Sequence, residues 1–161
     1  MMKLAKMFNL HFNFRSFLKR MAAFSLLISV LSCSRETVRV TGQVLRVRGN
    51  QMPSPDLPEP VFPGLATGIY FFEPALVSAA ARTGQEGVYS SVNARLIKEV
   101  RSNGKGRFSV RLKPGRYSVP IGRDSLFYAN IRDGKGYLNP IEISPARPAE
   151  IILRADWDAY Y

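Results

Sequence analysis

The clearest pattern of apolar and polar positions lies between residues 94 and 121. Ala94 to Arg101 reads as a strand. Asn103-Gly104 with Gly106 predicts a tight turn, because Asn-Gly supplies residues that accept positive φ. Beyond it Phe108, Val110 and Leu112 alternate with Arg107, Ser109, Arg111 and Lys113, the period-two signature of a strand with one buried face. Pro114-Gly115 predicts a second turn, and Tyr117, Val119 and Ile121 resume the alternation.

The same signature opens at Thr37. Val38, Val40, Gly42 and Val44 fall on one face, with Arg39, Thr41 and Gln43 on the other. The phase then slips to Leu45 and Val47, which predicts a bulge near Val44-Leu45. Residues 49–68 carry five prolines and three glycines. They read as a long loop with extended stretches, since each proline fixes its own φ and restricts its neighbour. Such a loop is either functional or a cover over an unpaired strand edge. Ile69 to Phe72 predicts a short strand apolar on both faces, while 75–81 is compatible with a helical turn or a strand. Further strands are expected near Leu126–Ile131, Asn139–Ile143 and Glu150–Leu153. About seven short strands without a strong helical period predict an all-β fold, an antiparallel Greek-key sandwich spanning 37–161.

The N-terminus follows a different rule. Residues 1–20 hold Lys3, Lys6, Arg15, Lys19 and Arg20 and no acid, and 21–31 (MAAFSLLISVL) form an apolar run. This is the basic-then-apolar pattern of a secretory signal peptide. The run is too short for a membrane-spanning helix, which needs roughly 20 residues. It ends in Val30-Leu31-Ser32-Cys33, which resembles the lipobox of bacterial lipoproteins: an aliphatic residue, a permissive position, a small residue, then the cysteine to be lipidated. The resemblance implies a signal peptide over 1–32, lipidation at Cys33, a short lipidated tether at 33–36 and a membrane-anchored cell-envelope protein. Ser34 follows the cysteine, with no aspartate to suggest inner-membrane retention, so resemblance to Gram-negative sorting points to the outer membrane. Several acyl chains on one residue anchor stably where one does not.

Processing there changes the chemistry available. The chain has one cysteine and one histidine. His11 leaves with the signal and Cys33 is spent on the anchor. The mature chain then lacks Ser-His-Asp and Cys-His catalysis, and it lacks the imidazole and thiolate of ordinary zinc and copper sites. No catalytic residue, metal or cofactor is expected. The formal charge of +11 drops by the five cations of the leader, so much of the basicity belongs to the address segment.

Three stretches of the mature chain resemble the carboxypeptidase regulatory-like domain, a transthyretin-like β-sandwich. They are Val40-Thr41-Gly42-Gln43-Val44, Ser102-Asn103-Gly104-Lys105-Gly106-Arg107-Phe108, and Leu112-Lys113-Pro114-Gly115-Arg116-Tyr117-Ser118-Val119. The family has a tighter connection where this chain has residues 49–68. The resemblance implies a non-catalytic accessory or binding module. One transthyretin-like branch, the hydroxyisourate hydrolases, is enzymatic, but it relies on histidines and a Tyr-Arg-Gly-Ser terminus. This chain ends Asp158-Ala159-Tyr160-Tyr161.

Two constellations remain as candidate contacts. Alternation puts Arg107, Arg111 and Lys113 on one exposed face, suited to anionic headgroups, lipopolysaccharide or an acidic glycan, or simply solvated. Trp157, Tyr160 and Tyr161, beside Asp156 and Asp158, are a candidate glycan platform, or they pack on the sandwich with both acids on one solvated face. The sequence therefore leads to a non-catalytic envelope lipoprotein that binds or scaffolds at a membrane surface. The alternative is a carbohydrate-binding accessory of a glycan-uptake or degradation system. The expected partners are the membrane, through lipid on Cys33, and envelope proteins or glycans; nucleic acid is discounted for an extracytoplasmic protein.

Overall fold

A computed structural model describes residues 37–52, 60–145 and 150–161. Cys33 and the leader lie outside the described residues. The fold is an all-β sandwich. Among the described residues there is no α-helix, only a 3₁₀ turn at Val77–Ala79. The strands are β1 (Val38–Asn50), β2 (Gly68–Phe72), β3 (Ala80–Arg82), β4 (Val88–Val92), β5 (Leu96–Arg101), β6 (Arg107–Leu112), β7 (Gly115–Ser118), β8 (Ile121–Arg123), β9 (Leu126–Tyr128), β10 (Pro140–Ile143) and β11 (Glu150–Tyr160).

Two sheets form. The smaller has the order β11–β1–β6. Its β1–β6 ladder is antiparallel, and its β1–β11 ladder is parallel. The larger has the order β10–β7–β2–β8–β9–β4–β3, with β5 on the other side of β2. Strands β7 and β8 are one run interrupted at Pro120. Proline has no N–H to continue a ladder, and the sheet forks there: β7 turns to β10, and β8 turns to β9. That fork and the weakly patterned β3 and β4 account for a strand count above the expected seven.

The core is filled by the periods read from sequence. Strand β6 alternates exposed and buried without a fault from Arg107 to Leu112. Its Phe108, Val110 and Leu112 meet Val40 and Val44 of β1, Ile151 and Leu153 of β11, and Ile69, Phe71, Tyr117 and Ile121 of the facing sheet. Phe71 bridges the two sheets, its ring centroid 6.4 Å from Phe108 and 6.3 Å from Tyr117. A smaller cluster of Val77, Ala80, Tyr89, Ala129 and Leu138 closes one flank.

Neither turn of the 94–121 stretch joins neighbouring strands of one sheet into a hairpin. Strand β5 pairs with β2 and β6 pairs with β1, so residues 102–106 arch from one sheet to the other. Pro114-Gly115 arches back, because β7 belongs to the larger sheet. Phe108 and Tyr117 thus face each other across the sandwich rather than along a hairpin. In the first arch the positive φ falls at Gly106 (φ 75), while the Asn103 carboxamide oxygen accepts from the Lys105 and Arg107 backbone N–H groups. At the second arch the Tyr117 hydroxyl donates to the Lys113 carbonyl at 2.8 Å, tying the aromatic core to the turn.

Gly42 shows why β1 has a glycine at its centre. A Cβ there would lie 2.3 Å from the Ile151 carbonyl oxygen and 2.6 Å from Cζ of Phe108. Phe108 is its cross-strand partner, and the ring lies over the bare backbone. The glycine of one family-like stretch is therefore filled by the phenylalanine of another.

The expected bulge is displaced. The β1–β11 register moves from Arg46↔Ala155 to Arg48↔Asp158, so Asp156 and Trp157 oppose the single residue Val47. Residues 63–65 settle one part of the 49–68 question. The Arg46 N–H donates to the Pro63 carbonyl and the Leu65 N–H to the Val44 carbonyl. They cover the edge of β1 beyond the point where β6 departs. Residues 53–59 of that loop lie outside the described residues.

Candidate functional site

Two surfaces bring charged side chains together, at opposite ends of β1. Val38 at its start pairs with Leu112, the last residue of β6, and β1 then runs past Gln43↔Arg107 toward Arg46. The Lys113–Gly115 arch belongs to the starting end. The 102–106 arch and the β8–β9 turn belong to the far end.

The outer face of β6 carries Arg111 at the starting end and Arg107 at the opposite end of the strand, and Lys113 follows Leu112; all three are exposed. The structure adds Arg39, directly opposite Arg111 on β1. Like charges set opposite one another across a ladder are destabilising. Arg39 Nε donates a hydrogen bond to Ser109 Oγ at 3.1 Å. Arg39, Arg107, Arg111 and Lys113 form no ion pair among the described residues. The alternation of a single strand does not show the pairing register that brings Arg39 to this face.

At the far end a cavity of about 430 Å³ opens between the sheets. Its charged and aromatic lining is Arg46, Arg101, Arg123, Asp124, Tyr70 and Trp157, contributed by segments distant in sequence. The backbone between 65 and 68 is fixed by buried Ser102, whose hydroxyl accepts from the Thr67 N–H at 2.9 Å and donates to the Leu65 carbonyl at 2.7 Å. Thr67 Oγ1 donates to the Gly122 carbonyl at 2.7 Å, joining this segment to β8. Asp124 and Ser125 form the two-residue β8–β9 turn with φ of 47° and 66°. Left-handed geometry at both positions suits the twist of a two-residue hairpin, yet neither residue is glycine, so the turn holds backbone strain at the rim of the cavity.

The C-terminal strand supplies the other wall, and here the bulge matters. It ends the alternation that predicted Asp156 and Asp158 on one solvated face. Asp156 is 6% exposed. It accepts hydrogen bonds from the Tyr128 hydroxyl (2.8 Å), from Asn130 Nδ2 (2.7 and 2.6 Å) and from the Tyr161 hydroxyl (2.9 Å). Burial first, and then the adjacent carboxylate, push the Tyr128 phenol far above its ordinary value. Asp158 instead faces solvent and engages Arg46 at 3.6 Å and Arg48 at 3.5 Å. Trp157 is half-buried, edge-on to Tyr128 at 5.0 Å, with the Arg123 guanidinium 5.2 Å from its ring centroid.

The three aromatics of the candidate glycan platform have different surroundings. Tyr160 is 63% exposed and Tyr161 is 66% exposed, but the Tyr161 hydroxyl is drawn back to Asp156, and Trp157 belongs to the cavity. Each ring pair recorded among the described residues is edge-on or tilted, with none coplanar. No family model matches this chain, and no curated protein matches its sequence. Among the described residues no cluster of three or more His, Cys, Asp or Glu side chains could hold a metal ion, and no helix is long and apolar enough to cross a membrane.

Nothing in the sequence groups Arg46, Arg101, Arg123 and Tyr70 as one site. They carry no mutual spacing, and only the meeting of β1, β2, β5, β8 and β11 at one end of the sandwich assembles them.

Proposed function

We propose that this chain is a lipid-anchored cell-envelope module, of the carboxypeptidase regulatory-like, transthyretin-like type, that acts by binding rather than by catalysis. Its anchored end lies against anionic headgroups. The observation that carries this reading is the position of the unpaired cations. Arg39 and Arg111 face each other one residue beyond Val38↔Leu112, and Lys113 follows at once. If Cys33 is lipidated, four residues join it to Val38, a reach of about 14 Å at ~3.4 Å per residue. A tether that short holds the starting end of the sandwich at the headgroups. There each cation contributes about 1 kcal/mol within a Debye length of an anionic surface.

The test is vesicle co-sedimentation of the protein carrying Cys33→Ser, so that lipid does not mask the contact. Binding to phosphatidylglycerol vesicles should exceed binding to phosphatidylcholine vesicles and fall with salt. Removing Arg39, Arg111 and Lys113 together should weaken it by about 100-fold, the sum of three such contributions. Equal binding to both vesicle types would exclude the headgroup contact. In cells, Cys33→Ser should move the protein to soluble fractions, and continued membrane association would exclude the lipid anchor.

A further inference from the structure

The far-end cavity is independent of the membrane contact. Three arginines line it against one lining carboxylate, Asp124, and their charge is incompletely used by the protein. Arg46 Nε is buried without a hydrogen-bond partner, and the Arg46 guanidinium reaches Asp158 only at 3.6 Å. Arg101 is exposed at the rim and has no carboxylate partner within 4 Å among the described residues. Nε itself is closed to solvent, so Arg46 presents to the cavity the exposed remainder of a side chain that is 34% exposed.

The rest of the lining narrows the ligand class. Asp124 and Ser125 line it as acceptors for hydroxyl groups, and Trp157 and Tyr70 add aromatic rings, the Trp157 ring already under the Arg123 guanidinium. Phosphate or sulfate has acceptor oxygens on every side and would meet the Asp124 carboxylate unfavourably. A neutral sugar would satisfy Asp124 and leave the arginines unmatched. A sugar acid satisfies both groups, since its carboxylate accepts from the guanidinium forks and its ring hydroxyls donate to Asp124. The cavity, at about 430 Å³, is within the roughly 300–1,000 Å³ common for small-ligand sites.

We infer that this pocket, formed by Arg46, Arg101, Arg123, Asp124, Tyr70 and Trp157, binds a carboxylate-bearing sugar, a uronate residue of an acidic saccharide. This moves glycan recognition from the exposed C-terminal tyrosines to a cavity between the sheets. It does not depend on lipidation or on the basic face at the other end.

Trp157 is the only tryptophan in the chain, so its emission reports on the pocket directly. The full-length protein in detergent is titrated with glucuronate, and its unfolding midpoint is followed in parallel. A saturable change in emission, or a saturable rise in the midpoint, is expected. Glucose and inorganic phosphate should each bind at least about tenfold more weakly, because each leaves one half of the lining unmatched. Arg101→Ala should weaken glucuronate binding about tenfold or more with little change in ligand-free stability. Arg107→Ala, on the outer face of β6, should leave binding unchanged. Three outcomes overturn the inference: no saturable response by either measure, phosphate or glucose binding as tightly as glucuronate, or equal losses in the Arg101 and Arg107 variants.

Discussion

Asp156 and Asp158 are two residues apart and alike in sequence, and the bulge in β11 gives them opposite roles. Replacing Asp156 with Ala removes the acceptor shared by Tyr128, Asn130 and Tyr161. Asn130 and Tyr161 are exposed and can turn to water, so their losses are small. Tyr128 is 5% exposed and has no such recourse. Stranding its hydroxyl costs about 1–3 kcal/mol, and losing a hydrogen bond to a charged acceptor has a similar size. Removing a desolvated carboxylate gives part of that back. The expected net loss is about 2–4 kcal/mol, a large fraction of the 5–15 kcal/mol typical of a domain. Asp158→Ala breaks only half-exposed ion pairs longer than 3.4 Å and should cost under about 1 kcal/mol. Urea unfolding followed by far-ultraviolet circular dichroism measures both without relying on the neighbouring Trp157. The decisive comparison adds Tyr128→Phe. If the stranded hydroxyl is the main cost, Tyr128→Phe should be much less harmful in the Asp156→Ala background than alone, with a coupling of about 1–2 kcal/mol. Equal losses for the two aspartates, or strict additivity with Tyr128→Phe, would refute the buried network.

Gly42→Val should destabilise by about 3 kcal/mol, because the new side chain meets the Ile151 carbonyl and the Phe108 ring; an unchanged urea midpoint would remove the close approach of β1, β6 and β11. Tyr117→Phe deletes the 2.8 Å hydrogen bond to the Lys113 carbonyl and should cost about 1 kcal/mol by the same assay, with near-ultraviolet dichroism showing an otherwise intact core. The Tyr137 backbone N–H, aided by the Lys135 N–H and the Arg116 guanidinium, holds the Asp133 carboxyl below its ordinary value despite some desolvation. Its stabilising effect on the 133–137 turn is therefore fully present above the unfolded-state value and is lost as pH falls through the lower folded value. A carbon-detected NMR titration should place the Asp133 midpoint below that of a solvated aspartate, and a midpoint at or above that value would contradict the turn geometry.

How much of this was legible in the sequence follows from which interactions are local. Alternation depends on one strand and its buried face, so β6 and the first half of β1 could be read directly. The 102–106 and 113–115 segments were recognised as turns. Their destination was not, because a turn's residues specify local φ and ψ and do not say whether the next strand joins the same sheet. The β11 bulge was invisible for a related reason: the extra residue is defined against Val47 of β1, more than a hundred positions earlier. That single register shift carries Asp156 into the interior and sets Trp157 against Tyr128 and Arg123. It also leaves Asp158 to engage Arg46 at the cavity wall. The far-end pocket is thus a product of pairing between the first and last strands, and its arginines have no pattern of their own to find. The basic face was half legible because Arg107, Arg111 and Lys113 lie on one alternating run, whereas Arg39 joins them only through the antiparallel register. In a sandwich built from short strands, the local code specifies which face of each strand is buried, and the long-range register decides which charges meet.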